Sequence, residues 1–450
     1  MGRLGGLRPA VVLALAAIVL GGAGLRGWEA AHPRLADESA DERFYGTLAR
    51  TLAEHLQYGD RSSGPRHPFF AAPGAPVAFA AAHRLTPSPR NSPTDIPAAY
   101  WLLAAVGTLL IVATFALGRE LGGDGAGLVA AAAIAVYPPL VRTTGELLSE
   151  PLGALCLTLA LLALVVGRRS HRSGLLATGG ALLGLAALAR PDLMILLVVC
   201  PFVLLALALR DGRRTGVASA VGVLAAGVVV IAPWVGFASA RTGYLVPVVE
   251  SDAPTLLVGS YLPGDGSTQG FKRSFADETR ARLPELRGVS DLELPGAAVI
   301  ETVRMRRPHL SRQAAVREEA LENVRRYALG RPGAFAAMMG RKVARMWGRP
   351  SQDRSPGLAL LHRGALVLAV AGLAAGIAMG RRADLALVAS VILSSTLLHA
   401  VLVAHPRYAL PLIPLLVAAG AGGLAALWPR HAGIRSWAVT NGLHWRPSAR

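Results

Sequence analysis

The chain has 450 residues, of which 53% are hydrophobic and only 16% charged, and its mean hydropathy is +0.44. Soluble domains carry about 25% charged residues, so the deficit excludes a disordered chain and argues against an ordinary soluble enzyme. The 46 Lys and Arg against 28 Asp and Glu give a net charge of +18, but the bases sit in short clusters between apolar runs. That pattern points to a membrane and not to nucleic acid.

An apolar run of about 20 residues crosses the hydrocarbon core as a helix. On that criterion spans are expected at 9–27, 97–118, 126–141, 149–167, 173–189, 191–209, 215–236, 358–379, 383–404 and 408–428. The third and fifth are short, so the expectation is an all-α polytopic protein of about ten transmembrane helices, with twelve as the upper bound. The chain divides into a first transmembrane helix (1–27), a first outer loop (28–96), and helices two to seven (97–236). A large outer loop (237–357), the last three helices (358–428) and a tail (429–450) follow. The first span is expected to be retained, being long and without a clean small-x-small cleavage site before Trp28. Cys156 and Cys200 both lie inside apolar runs, so no disulfide framework or zinc site is expected.

Basic residues orient these spans. Arg3, Arg8, Arg119, Arg168, Arg169, Arg172, Arg210, Arg213, Arg214, Arg381, Arg382, Arg430 and Arg435 all fall on one side of a ten-span layout. The positive-inside bias then puts both termini and the tail in the cytoplasm, and segments 28–96 and 237–357 on the outer face. Tyr45, Leu48, Ala49, Leu52 and Leu56 share one face at helical spacing. The outer segments therefore read as amphipathic helices along the membrane surface.

Nearly every span lacks an ionisable residue at mid-depth, where a transporter needs one. The charges gather at the outer ends instead. Arg142, Glu146 and Glu150 bracket one turn, Arg190 and Asp192 another, Arg241 follows the seventh span, and His405 and Arg407 stand before the tenth. With Asp41 and Glu42 they make a ring of acids and bases at headgroup depth. Arg donors suit a lipid phosphate, and a carboxylate beside them can take a proton from an acceptor hydroxyl. Together they describe group transfer from a lipid-phosphate donor, the leaving phosphate being stabilised by fixed positive charge.

Several separated motifs then carry a family resemblance. Asp41-Glu42-Arg43-Phe44-Tyr45 is similar to an Asp-Glu-x-x-Tyr motif, and Pro73-Gly74-Ala75-Pro76 to Pro-Gly-x-Pro. Ser149-Glu150-Pro151 and Arg190-Pro191-Asp192 follow at span starts. Pro233-Trp234 with Gly243 leads into the large loop, and Glu319-Ala320 through Pro332, Lys342 and Trp347 ends it. Arg407-Tyr408 with Pro411 and Pro414 comes last. In this order they resemble the polyprenyl-phosphate-sugar-dependent glycosyltransferases of the GT-C fold, in the group of protein O-mannosyltransferases, aminoarabinose transferases and rhizobial core transferases. Two departures stand out. Phe237 and Ala238 occupy the place of an Arg-Asn pair, with Arg241 one helical turn on, and His67-Pro68-Phe69-Phe70 is looser than the family pattern.

The resemblance implies a multi-pass inverting glycosyltransferase working on the extracytoplasmic side. It moves a sugar from a polyprenyl-phosphate donor to a hydroxyl of a protein, polysaccharide or lipid. It assigns the base to Asp41 with Glu42 beside it, and places Glu150, Arg142, Arg190, Arg241, Lys342, His405, Arg407 and Tyr408 around the substrates. No cofactor is expected; a divalent cation is compatible but not indicated, because no Asp-x-Asp pair stands in the first loop. Plainer readings exist for each residue. Asp37, Glu38, Asp41 and Glu42 also suit the start of an amphipathic helix, Glu150 before Pro151 suits a helix cap, and the arginines suit interfacial anchors. The rival function is a transporter or flippase of lipid-linked saccharides without chemistry.

Overall fold

The computed structural model describes residues 7–427 apart from 36–37, 59–68, 88–91, 214–215, 251, 351–354 and 381. Arg3, Asp37, His67, Pro68, Arg214, Arg381, Arg430, Arg435 and the tail 429–450 lie outside the described residues. Among the described residues the chain is helical, with no strand. The first helices are α1 (Pro9–Ala31), α2 (Ala40–His55), α3 (Gly74–Leu85), α4 (Pro97–Gly122), α5 (Asp124–Val136) and α6 (Pro138–Arg142). Next come α7 (Glu150–Ser170), α8 (Ser173–Ala189), α9 (Leu196–Arg210), α10 (Gly216–Thr242), α11 (Asp252–Ser260) and α12 (Thr268–Arg282). The last are α13 (Gly296–Met305), α14 (Arg312–Asn323), α15 (Pro332–Trp347), α16 (Pro356–Ala378), α17 (Arg382–Val401) and α18 (Ile413–Leu427).

Eight helical segments are long and apolar enough to cross a membrane among the described residues, and α5 with the segment after it makes a ninth, bent by 59°. The chain is a multi-pass membrane protein. Each expected span has a helix at its place; the two short ones are this bent pair and the 17-residue α8. The bend has a chemical cause. Pro138 and Pro139 carry no N–H, so the carbonyls of Ile134 and Ala135 lose their helical donors. Arg26 of α1 replaces them, donating to Ala135 O at 3.0 Å and Ile134 O at 2.9 Å, and to Gly22 O at 3.1 Å. It is fully buried. The central core runs through Leu117 of α4, Leu157, Leu161 and Leu164 of α7, and Leu183 of α8. Leu196 and Cys200 of α9, Val223 of α10 and Val388 of α17 continue it.

The outer segments are packed units. The α2 helix buries Ala49 and Ala53 against Ala75 and Phe79 of α3 and against Ile96, Tyr100 and Leu103 at the head of α4. It stops one residue short of the expected apolar face: Leu56 takes a left-handed conformation (φ 54°) and is 74% exposed. The α11–α14 segment has its own core of Leu257, Phe271, Phe275, Val299, Val303 and Val316.

Candidate active site

Local backbone chemistry brings four distant segments together. Pro191 disfavours helix at the residue before it, so α8 ends and Arg190 is extended (φ −141°, ψ 111°). Glu150 opens α7, followed by Pro151 at the first helical position. Arg407 and Tyr408 lie on a tight 3₁₀ turn, Pro406–Leu412, bounded and interrupted by prolines. The first outer segment reaches them through Gly74. A Cβ there would lie 2.8 Å from Ala189 Cα and from Leu188 O, so only glycine lets the head of α3 rest on the end of α8. Since α2 packs on α3, that contact carries Asp41 towards Arg190. Gly153 makes room in the same way: its Cβ would stand 2.7 Å from Arg190 Cδ.

The side chains form a ladder of alternating charge. Arg407 Nη2 is 2.6 Å from Asp41 Oδ2, and its Nε is 3.2 Å from Glu150 Oε1. Arg190 Nη1 reaches the same Glu150 oxygen at 2.8 Å, and its Nε stands 3.2 Å from Asp192 Oδ1. Asp192 Oδ2 is in turn 3.2 Å from His399 Nε2, while His399 Nδ1 donates to Val403 O at 3.1 Å. Tyr408 braces the ladder: its ring stacks on His399 at 4.4 Å, and the guanidinium carbons of Arg190 and Arg407 lie 5.5 and 5.9 Å from its centre. The Tyr45 hydroxyl donates to Ser149 Oγ at 3.4 Å. Burial works against the charge of Arg190, but Asp192 and Glu150 outweigh it and raise its pKa. Burial, and then Glu150, push the Tyr45 hydroxyl up.

A cavity of about 710 Å³ lies against this ladder. Tyr45, Ser149, Arg190, Asp192, His399, Arg407 and Tyr408 line its polar end, and Ile195, Leu197, Val198, Leu224, Val228 and Leu398 its apolar walls. Val198, Leu224 and Val228 are also exposed on the outer surface of the bundle. The cavity therefore opens on the apolar flank between α9 and α10. It can take a ligand with a greasy chain and an anionic head.

The structure thus joins Asp41, Glu150, Arg190, Arg407 and Tyr408 from the expected set. His405 stands beside them, its Nδ1 accepting the Arg407 backbone N–H at 3.4 Å. Others are placed elsewhere. Glu42 is absorbed by a capping box: its Oε2 accepts from Ser39 N at 2.8 Å and Ser39 Oγ at 2.9 Å, while Ser39 Oγ accepts the Glu42 N–H. Lys342 is wholly buried and donates to Gly259 O at 2.9 Å and Val401 O at 3.1 Å. It fastens the large outer segment to α17; burial, with Arg345 adding, lowers its pKa to about 8. Arg241, expected in the outer loop after the seventh span, lies on α10, which runs on to Thr242, and its guanidinium lies over the Phe237 ring at 5.5 Å. Arg142 is half-buried at the end of α6, and is not among the residues that line the cavity.

Asp192, His399, Tyr45 and Ser149 are additions to the expected set. Asp192 and Ser149 stood inside recognised motifs, whereas a lone His in the Leu-rich α17 carries no local signal. Among the described residues no group of three or more His, Cys, Asp or Glu side chains is arranged to hold a metal. Asp41 and Glu150 are both in contact with Arg407.

Comparison with solved structures defines the fold. The archaeal oligosaccharyltransferase AglB from Archaeoglobus fulgidus, in complex with an inhibitory peptide and a dolichol-phosphate, superimposes with a TM-score of 0.57 at 14% identity. The match covers 98% of this chain and 53% of that one. The apo form of the Archaeoglobus fulgidus oligosaccharyltransferase gives 0.58 at 15% identity, over 97% and 53%. ArnT from Cupriavidus metallidurans, bound to undecaprenyl phosphate, gives 0.43 at 14% identity over 92% and 78%, too weak a superposition to define a fold. The chain therefore has the GT-C fold of membrane glycosyltransferases, and spans about half the length of the oligosaccharyltransferases it matches. Residues 93–237 match the family described as dolichyl-phosphate-mannose-protein mannosyltransferase, in line with the resemblance carried by the motifs. No curated protein sequence matches the chain.

Proposed function

We propose that the protein is a membrane glycosyltransferase that moves one sugar from a polyprenyl-phosphate donor to an acceptor hydroxyl on the extracytoplasmic side, with inversion. The observation that carries this reading is the cavity itself, apolar and open on its lipid flank, with Arg190, Arg407 and Tyr408 at its polar end. The polyprenyl chain would lie along Ile195, Val198, Leu224 and Val228, and the phosphate would meet the guanidinium groups. The architecture of α7 supports this sidedness. Glu150 is at its first residue and Arg168 and Arg169 are near its last turn, about 30 Å apart for a helix of this length. That is one hydrocarbon thickness, and the positive-inside bias then puts Glu150 outside.

In the reaction the acceptor oxygen attacks the anomeric carbon from the face opposite the phosphate. Its proton passes to an Asp41 carboxylate oxygen as the new C–O bond forms. The bond from the anomeric carbon to the phosphate oxygen breaks, and its electron pair stays on the phosphate, where Arg407 and Arg190 stabilise the charge. Glu150, fixed between the two guanidinium groups, holds both in place. Residues matched to the family include Glu150 and Arg190, which supports a shared donor chemistry. The test is reconstitution in proteoliposomes with polyprenyl-phosphate-linked sugars and a mixture of acceptors. A new glycosidic product is expected, and passage of intact donor across the bilayer without product would overturn the reading.

A further inference from the structure

The inference concerns the order in which this site engages its substrates, and it rests on the transferase reading above. The ladder holds two guanidinium groups, Arg190 and Arg407, and three carboxylates: Asp41 on Arg407, Asp192 on Arg190, and Glu150 on both. The other expected phosphate ligands in the outer region are occupied as well: Lys342 by two carbonyls and Arg241 by an aromatic ring. A phosphate entering the cavity brings more negative charge to a place where fixed acids already outnumber the arginines. It can gain a guanidinium only by taking one from a carboxylate.

The two carboxylates on Arg407 differ sharply. The Glu150 side chain is 1% exposed and shared by two guanidinium groups, so detaching it from Arg407 would strip a desolvated carboxylate of one of its two counter-ions with no water to replace it. The Asp41 side chain is 51% exposed and, among the described residues, paired with Arg407, at the first turn of α2. It can leave into water at little cost. We propose that the donor phosphate and Asp41 compete for the same edge of Arg407, so that donor binding detaches Asp41. While Asp41 Oδ2 is held by Arg407 it is not free to meet an acceptor hydroxyl; once detached, it is. Asp41 is thus available as a base only once the donor is seated, which makes the donor the first substrate to engage productively.

The experiment is equilibrium binding of a short-chain polyprenyl phosphate to the full chain in lipid nanodiscs. Asp41→Asn and Asp41→Ala should both bind it about two- to five-fold tighter than the parent, the size of a half-exposed ion pair relieved. Glu54→Gln changes the same charge on the same helix, at a side chain 50% exposed and paired with Arg50, and should bind like the parent. Equal or weaker binding by both Asp41 variants would overturn the competition and leave the transferase reading standing. So would equal tightening by Glu54→Gln, which would reduce the effect to long-range charge. Absence of binding by the parent itself would remove both.

Discussion

Glu150→Gln is the most informative single perturbation of the ladder. The carboxylate lies between two guanidinium groups, 2.8 Å from Arg190 and 3.2 Å from Arg407, with its side chain 1% exposed and that of Arg190 5% exposed. Removing one partner from a buried ion pair costs about 3–5 kcal/mol, because the remaining charge is left without its counter-ion. Both guanidinium groups contact the same Glu150 oxygen, and a glutamine carbonyl oxygen in its place can still accept from them, which places the expected loss near the lower end, at about 3 kcal/mol. Reversible denaturant unfolding in mixed micelles reads that difference. A double variant, Glu150→Gln with Arg190→Gln, should lose clearly less than the sum of the two single variants, since the pair is removed together. A single variant as stable as the parent, or strictly additive losses, would refute the picture of a dry, mutually compensating ladder.

Three further outcomes follow from the packing. Lys342 has a folded pKa of about 8 against an ordinary 10.5, so between those values the unfolded chain binds more protons. Stability should therefore rise with pH in that window by up to about 1.4 kcal/mol per unit; Lys342→Met should lack the rise, and parallel pH profiles would contradict it. Arg26→Met removes the donors to Ile134 O and Ala135 O and should cost about 2 kcal/mol in the same unfolding assay; no loss would mean the bend is satisfied otherwise. Gly74→Ala places a Cβ 2.8 Å from the α8 backbone. It should slow transfer by about 10²-fold with stability largely kept, since a misplacement of about 1 Å is enough; a parental rate would show that the first outer segment is not held there.

The membrane architecture was legible in the sequence because an apolar run of span length has few alternatives. The positions that resisted are those whose role depends on a distant partner. Nothing around Arg26 marks it as the donor to carbonyls 108 and 109 residues away. His399 gains its place only through Asp192, 207 residues earlier. Lys342 sits in a basic run that reads as a surface, yet it is buried because Gly259 and Val401 offer carbonyls to its ammonium. Glu42, expected beside the base Asp41, is instead bound by Ser39, three residues before it, in a capping box. That box is visible in the sequence as Ser-x-x-Glu. Asp41 and Arg407, by contrast, stand in contact as the outer ring of charges required.

The most direct measurement is the rate of sugar transfer from a polyprenyl-phosphate donor by reconstituted parent and Asp41→Asn protein, compared at equal donor occupancy. With Asp41 as the base, the parent forms the glycoside and the variant, folded and still binding donor, is slower by about 10²–10⁴-fold. Transfer by Asp41→Asn at the parental rate would contradict the account.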